Sequence, residues 1–418
     1  MIQKTTAAPL WTALTPAPHQ YPWLAEDTSC EVAVVGGGIT AAMCAWRFAQ
    51  AGIDTLLVSA SPIGYGETSR TSGMMTPAPH DCLTDLVEHI GPERTADLRA
   101  LLLESLYHIE QFCTEQEDRC GFQRRDCLLY TDDEDLVPQL RQEYSLRLHS
   151  GLDVEFLTAN QAPEQFTFPM EGGLYTKNVA AQVDPYRLTL ALIQAAAQSG
   201  ARIYENSSVA ELQKPENEGE DCCLFTSTHH TIRASYVILA SGLDLHRHCG
   251  GLYQRSTTHL MATEPIESFA GWRGNCLIHH MGEERLYLTV TPDQRLLIGG
   301  LDHGLIDENG KVARLLRLQA LEEKRQETLS TILRDMFPAI GGITAAYTWT
   351  ARDGRTEDGL PIAGRLPDNS QVAYALCCGD NGILYAEAAG RLLLEQYQGQ
   401  ANHVLGLFSP NREWRVRR

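Results

Sequence analysis

The stretch VAVVGGGITAAMCAWRFAQAGIDTLLVSAS, from Val32 to Ser61, constrains this chain more than any other. An apolar run enters three glycines, a helix-patterned segment follows, Gly52 closes it, and a second apolar run comes at 55–58. Gly36 and Gly38 stand at the first two glycine positions of a GxGxxG turn, and Ala41 takes the third. Gly36 permits the tight bend, and Gly38 lets the backbone approach a pyrophosphate. The helix that starts there offers unpaired N–H groups to the phosphates. Strand, glycine turn, helix and strand in that order predict a Rossmann-like dinucleotide-binding unit. Such units end their second strand in an acid that holds the ribose hydroxyls, and here Ser59 stands in that place. A serine is neutral and short, so its ribose contact is weaker or water-mediated. Two readings follow: the lost charge tolerates a 2′-phosphate, which is the case for NADP, or Ser59 is a permissive neighbour and the phosphate contacts carry the affinity.

At 418 residues the chain suits one large two-part enzyme or two domains. Lys and Arg number 34 against 53 Asp and Glu, and the net charge of -19 disfavours nucleic acid and anionic membrane surfaces. The twelve cysteines are scattered or adjacent, with no CxxC pair, and read as reduced thiols. The N-terminus lacks the basic-then-apolar order of a signal peptide, and LTLALIQAAA from Leu188 is far shorter than the roughly 20 residues a bilayer span needs. A cytoplasmic protein without a membrane span is expected.

Residues 1 to 29 read as an extended arm held by Trp11 and Trp23. Apolar positions at 98, 101, 102, 106, 109, 112 and 113 mark one face of a helix, CLLYT at 127–131 reads as a strand, and 132–149 as a second helix. Asp184 and Pro185 fit the N-cap and first position of a helix ending near Gly200. The acidic segment 215–221 reads as a solvated hairpin tip. From His259 to Leu301 the pattern is that of an antiparallel sheet, and a long amphipathic helix follows over about 312–337. The fold class expected is α/β, with an inserted mixed or antiparallel sheet domain.

The segment IGYGETSRTSGMMT, Ile63 to Thr76, supplies glycines and hydroxyls just after the second strand. With it, the chain resembles the FAD-dependent oxidoreductases of the D-amino acid oxidase superfamily, among them glycine and sarcosine oxidases, and in particular a bacterial subgroup often fused to a Rieske iron–sulfur domain. That resemblance covers Glu31 to Arg412. It implies a FAD domain of the GR2 type over 1–82, 181–255 and 345–418, and a substrate domain over 83–180 and 256–344. It implies that Gly66, Thr68, Ser69, Arg70, Ser72, Gly73 and Met74 wrap FAD. Val209 is then at the adenine, Ala240, Ser241 and Gly242 lie beside the cofactor, and Gly364 belongs to TEDGLPIAGR. Gly379, Asp380, Asn381, Gly382 and Ile383 form the closing turn against the flavin. Ser59 then becomes a weakened ribose contact of FAD, and NADP is displaced. FAD is expected to be held non-covalently, since ETSRTSGMM has no cysteine or histidine at the attachment points of some relatives. The fused Rieske domain is expected to be absent, the chain ending at Arg418.

Cys377, Cys378 and Asp380 depart from the more glycine-rich family turn. An inward carboxylate at Asp380 would disfavour an anionic reduced ring. The expectation is that Asp380 points to solvent or caps the helix, with Asn381 and Gly382 making the contact. On the substrate side the resemblance implies oxidation of a C–N bond in a small amine or amino acid, with oxygen or an electron-transfer partner as acceptor. Tyr287 and Met261 lie on strands that line the flavin face in relatives, and Arg352 is the candidate carboxylate fork, unless it pairs with a nearby acid instead. The catalytic candidates are therefore Tyr287 and Arg352. No lysine lies on the strands from His259 to Gly300, which favours a dehydrogenase or slow oxidase. His259, His279, His280 and the HRHC segment at 246–249 have no metal-site spacing, and no metal is expected. The competing reading is a catalytically altered or regulatory flavoprotein on the same scaffold.

Overall fold

The computed structural model describes residues 8–15, 19–77, 82–215, 220–247, 252–304, 311–366, 369–377 and 379–412. Cys378, the tip at 216–219 and His248–Cys249 of the HRHC segment, all singled out in the sequence, lie outside them. The strand Thr28–Val35 sits at the centre of the first sheet, between Thr55–Val58 and Thr231–Leu239, and is parallel to both. Arg202–Tyr204 extends one side in parallel, and Asn369–Leu376 extends the other, with Ile362–Leu366 antiparallel at the edge. A ribbon of Val209–Gln213 and Cys222–Thr226 branches from Thr231–Leu239. From Val32 to Val35 the central strand is apolar at every step because both faces are covered there. Val32 and Val34 pack among the helices Ile39–Gln50, Pro185–Gln198 and Gly382–Tyr397. Ala33 faces a second core with Leu24, Leu239 and Tyr253.

The second sheet has nine strands in the order Ala345–Arg355, Gln254–Thr263, Leu296–Gly304, Leu286–Val290, Leu277–His280, Gln123–Thr131, Gly172–Gln182 and Met74–Met75, with Val154–Thr158 also on Gly172–Gln182. All its ladders are antiparallel except that between Leu277–His280 and Gln123–Thr131. Period-two alternation sorts its faces. Met261, Ile278, Leu288 and Ile298 lie against Leu329, Leu333 and Met336 of the helix Lys311–Met336. Leu260, Leu277, Tyr287, Leu297 and Trp349 look the other way, toward Trp11, Met74 and Tyr186. Met261 therefore belongs to the helix-covered face, one position out of phase with the strand's other side.

Three expectations need correction. The first 29 residues are not simply an extended arm: Leu10–Leu14 is a short helix, Trp11 is buried, and Trp23 is 54% exposed and anchors little. The expected boundary at 345 assigns Ala345–Arg355 to the FAD domain, yet that strand pairs with Gln254–Thr263 in the second sheet. The boundary at 83 likewise separates Leu83–Ile90 and Pro92–Glu115 from the helices of the first sheet, although Leu86, Leu98, Leu102 and Ile109 share their core. The 98–113 periodicity reads an apolar face correctly but does not say which sheet covers it. The cap at Asp184 is as expected, its side chain accepting from the N–H groups of Tyr186 and Arg187 at 2.9 and 3.0 Å. Among the described residues no helix is long and apolar enough to cross a membrane.

Candidate active site

A cleft of about 980 Å³ draws lining residues from both sheets. Its nucleotide end is made of backbone. Gly36 has φ +142°, and a Cβ there would come within 2.3 Å of the Ala240 carbonyl oxygen. Gly37 passes so close to the Ser59 side chain that its own Cβ would lie 2.2 Å from Ser59 Oγ. Gly38 caps the helix Ile39–Gln50 with no side-chain acceptor of its own, and the first turn carries no acid. The hydroxyl of Thr68 reaches across and accepts from Ile39 N–H at 3.0 Å. Ala41 is fully buried in the helix and does not line the cleft. Ser59 lines it but is 2% exposed and donates its hydroxyl to the Ser61 carbonyl at 2.7 Å.

Thr68, Arg70, Ser72, Gly73 and Met74 line the same end. Their loop is pinned across the cleft to the second sheet. Arg70 Nη1 donates to the Thr350 carbonyl at 2.9 Å, and Trp349 Nε1 donates to the Arg70 carbonyl at 2.8 Å. Trp11 Nε1 adds a bond to the Thr71 carbonyl at 2.8 Å. Gly73 is required by a close approach, since a Cβ there would meet the Val183 carbonyl oxygen at 2.1 Å. Ser69 is buried and bonds back to the Gly66 carbonyl instead of lining the cleft. Val209, Ala240, Gly242, Gly379, Asp380, Gly382 and Ile383 line it, whereas Gly364 and Asn381 do not. Gly364 sits in an edge strand opposite Tyr374. Asn381 turns its side-chain oxygen to the Thr76 N–H at 3.1 Å, which leaves the helix Gly382–Tyr397 without a side-chain cap.

The other end is made of ionisable side chains. Tyr287, His279 and Gly299 are cross-strand neighbours, and the tyrosine ring fills the space that a side chain on Gly299 would take, 2.3 Å from Cζ. Burial raises the Tyr287 phenol to about 12, so it is a hydroxyl donor at neutral pH. Its oxygen is 3.4 Å from Thr258 Oγ1. Burial, and then the charge of Arg285, lowers His279 to about 3, which keeps that ring neutral. Asp353 Oδ1 accepts from the Gly354 and Gly379 N–H groups, both at 2.8 Å, and burial raises its carboxyl above the usual range.

Arg285, which the sequence motifs do not single out, stands just before the strand Leu286–Val290 and two residues from Tyr287. It pairs with Asp302 at 3.0 Å and with Asp380. Asp380 therefore points neither to solvent nor to the helix cap. The partly buried guanidinium draws it inward, and its side chain is 14% exposed. Arg352 stands at the cleft rim with 61% of its side chain exposed, and Glu67 holds it through Nε at 2.7 Å and through the backbone N–H at 2.8 Å. The acid that takes it comes from the 66–76 loop and not from its own neighbourhood.

Two helix starts, at Ile39 and Gly382, line this cleft, and neither is capped by the side chain of its own N-cap residue. Glycines clear the approach to the first, which suits a pyrophosphate. A long cleft that changes from backbone donors to packed side chains fits a dinucleotide whose ring lies at the side-chain end. The family model for FAD dependent oxidoreductases matches residues 31–396. The chain is similar to a putative Rieske 2Fe-2S iron-sulfur protein of Bacillus subtilis, 25% identical over 96% of this chain and 75% of the relative. It is also similar to the γ-glutamylputrescine oxidoreductase of Escherichia coli, 24% identical over 90% of this chain and 86% of that one. The crystal structure of glycine oxidase from Geobacillus kaustophilus superposes with a TM-score of 0.74 at 21% identity, covering 92% of this chain and 99% of that chain. With its model match running through both sheets and a cleft fitted to the cofactor, the chain belongs to the DAO family of FAD dependent oxidoreductases.

Proposed function

We propose that the enzyme oxidises the C–N bond of a small amine or amino acid. Gly36, Gly38, Thr68, Arg70, Ser72, Gly73 and Met74 would hold the diphosphate and the middle of FAD, with Ser59 and Val209 toward the adenosine. Ala240, Gly242, Gly379, Asp380, Gly382 and Ile383 would flank the ring, held without a covalent bond. Bound FAD would supply the two-electron acceptor for the hydride that leaves the carbon beside the nitrogen.

The protein's own part is to orient the amine and keep water out. Tyr287, buried and protonated, presents a fixed hydroxyl, and neutral His279 adds a polar edge without charge. A protonated amine cannot release hydride, so a bound ammonium would first give one proton to a carboxylate at this end, and no stronger base is needed. Arg352 remains a candidate only if Glu67 lets it go, since that acid now holds it at the rim. Oxygen or an electron-transfer protein would be the final electron acceptor.

The observation that carries this reading is the continuity of one cleft from the Gly36–Gly38 cradle to Tyr287 and His279. The names of two similar proteins, glycine oxidase and γ-glutamylputrescine oxidoreductase, agree with it. Anaerobic mixing of the FAD-loaded protein with a panel of amines and amino acids should bleach its visible absorbance. FAD-loaded protein that no member of the panel bleaches overturns the reading.

A further inference from the structure

We propose that the substrate is a cationic amine with no carboxylate on the carbon that bears its nitrogen. This rests on the C–N oxidising reading of the same cleft and narrows it. The charged groups at the substrate end decide the matter. An α-carboxylate is usually held by an arginine fork, and of the four arginines lining this cleft Arg285 and Arg352 are already paired with acids while Arg70 and Arg255 are tied to backbone carbonyls. Arg70 donates to the Thr350 carbonyl, Arg255 to the Leu243 carbonyl at 3.3 Å, and Arg352 to Glu67.

Arg285 is the cation beside Tyr287 and His279, and it already holds two carboxylates. Asp302 comes from its own sheet, and Asp380 from the turn before Gly382–Tyr397, so the guanidinium is clasped from both sides of the cleft. The three charges sum to one net negative. Asp353 lies against the same turn and adds acidity.

An incoming carboxylate would have to expel Asp380 from Arg285. It would then leave a mostly buried carboxylate facing a second anion, and a buried charge stripped of its partner is strongly unfavourable. An ammonium group meets the opposite situation. The surplus negative charge attracts it, and its three N–H donors suit carboxylate oxygens that have lone pairs to spare. Asp380 thus serves as an internal occupant of the anion place on Arg285, and it selects against α-amino acids.

The test compares matched pairs that differ only by the carboxylate: butylamine with racemic norvaline, putrescine with ornithine, and benzylamine with racemic phenylglycine. Anaerobic stopped-flow reduction of the FAD-loaded enzyme should favour the decarboxylated member of the best pair by at least tenfold in the initial slope of rate against concentration. Acetate, titrated into the same holoenzyme and followed through the flavin spectrum, should bind weakly and gain at least fivefold in Asp380→Asn. If Asp380→Asn is recovered without flavin, Asp302→Asn releases the guanidinium from its other side and carries the same expectation. Faster reduction by the carboxylated members, or acetate binding that the freed guanidinium does not improve, overturns this inference alone. Reduction by no member of any pair defeats both it and the C–N oxidising reading.

Discussion

The two ends of the cleft are built from different materials. The nucleotide end is backbone: Gly36, Gly37 and Gly38 on one turn, Gly73 on a loop, and the start of the helix Ile39–Gln50. The far end is side chain: Arg285, Asp353, Asp380, His279 and Tyr287 line it, and Asp302 holds Arg285. Backbone donors are set by chain geometry, so they tolerate no added atoms and recognise a group common to every dinucleotide. Side-chain charges can be exchanged one at a time, so they can tune a substrate while the cradle stays the same.

Changes at the first end should therefore remove the cofactor, and changes at the second should spare it. The largest effect is expected from Gly36→Ala. Its Cβ would lie 2.3 Å from a backbone oxygen at φ +142°, a strain and overlap of about 3 kcal/mol or more. The purified variant should be colourless and melt lower, and a yellow variant with wild-type absorbance would break the comparison. Arg285→Met should instead keep its flavin. It leaves Asp302 and Asp380 without their shared partner and should lose about 1–3 kcal/mol of stability. Loss of flavin in this variant would show that the ends are not separable.

A smaller effect concerns acid. His279 has its ordinary value near 6.5 lowered to about 3 by burial and by Arg285. Above pH 6.5 the ring is neutral in both folded and unfolded chains, and the full stability is present. Below that the unfolded chain takes a proton that the fold refuses. Stability then falls by about 1.4 kcal/mol per pH unit from this residue as the pH drops toward 3. Melting curves between pH 7 and 4.5 should show a shallower acid limb in His279→Gln, and an unchanged limb would remove His279 from the account. The smallest effect is expected from Ser59→Ala. Its hydroxyl already serves the Ser61 carbonyl, so FAD affinity measured by fluorescence should change by less than threefold. A larger loss would show that the hydroxyl reaches the ribose.

This division also explains what the sequence could reveal. Gly36, Gly38 and the Asp184 cap are local: each depends on a few consecutive residues, and pattern alone reads them. Arg285 and Asp380 are far apart in the chain and meet only because Leu286–Val290 and the turn before Gly382–Tyr397 face one cleft. Asp380 was expected to point outward because nothing near it in sequence gives its carboxylate a reason to turn in. Arg352 was matched to acids on its own segment, whereas Glu67, from a loop that crosses to the other sheet, takes it. Asn381 and Ser69 sit in segments whose neighbours line the cleft, yet each is consumed by the hydrogen bond that shapes its turn.

The loop at 66–76 has a kinetic consequence. It is fastened by Trp11, Trp349, Thr350 and Arg352, groups that come from outside the nucleotide turn. On the proposed placement of FAD, the cofactor would have to leave past those bonds. The residence time of FAD is then set by how often the fastening opens and hardly at all by which flavin is bound, so analogues altered in the ring should depart at nearly one common rate.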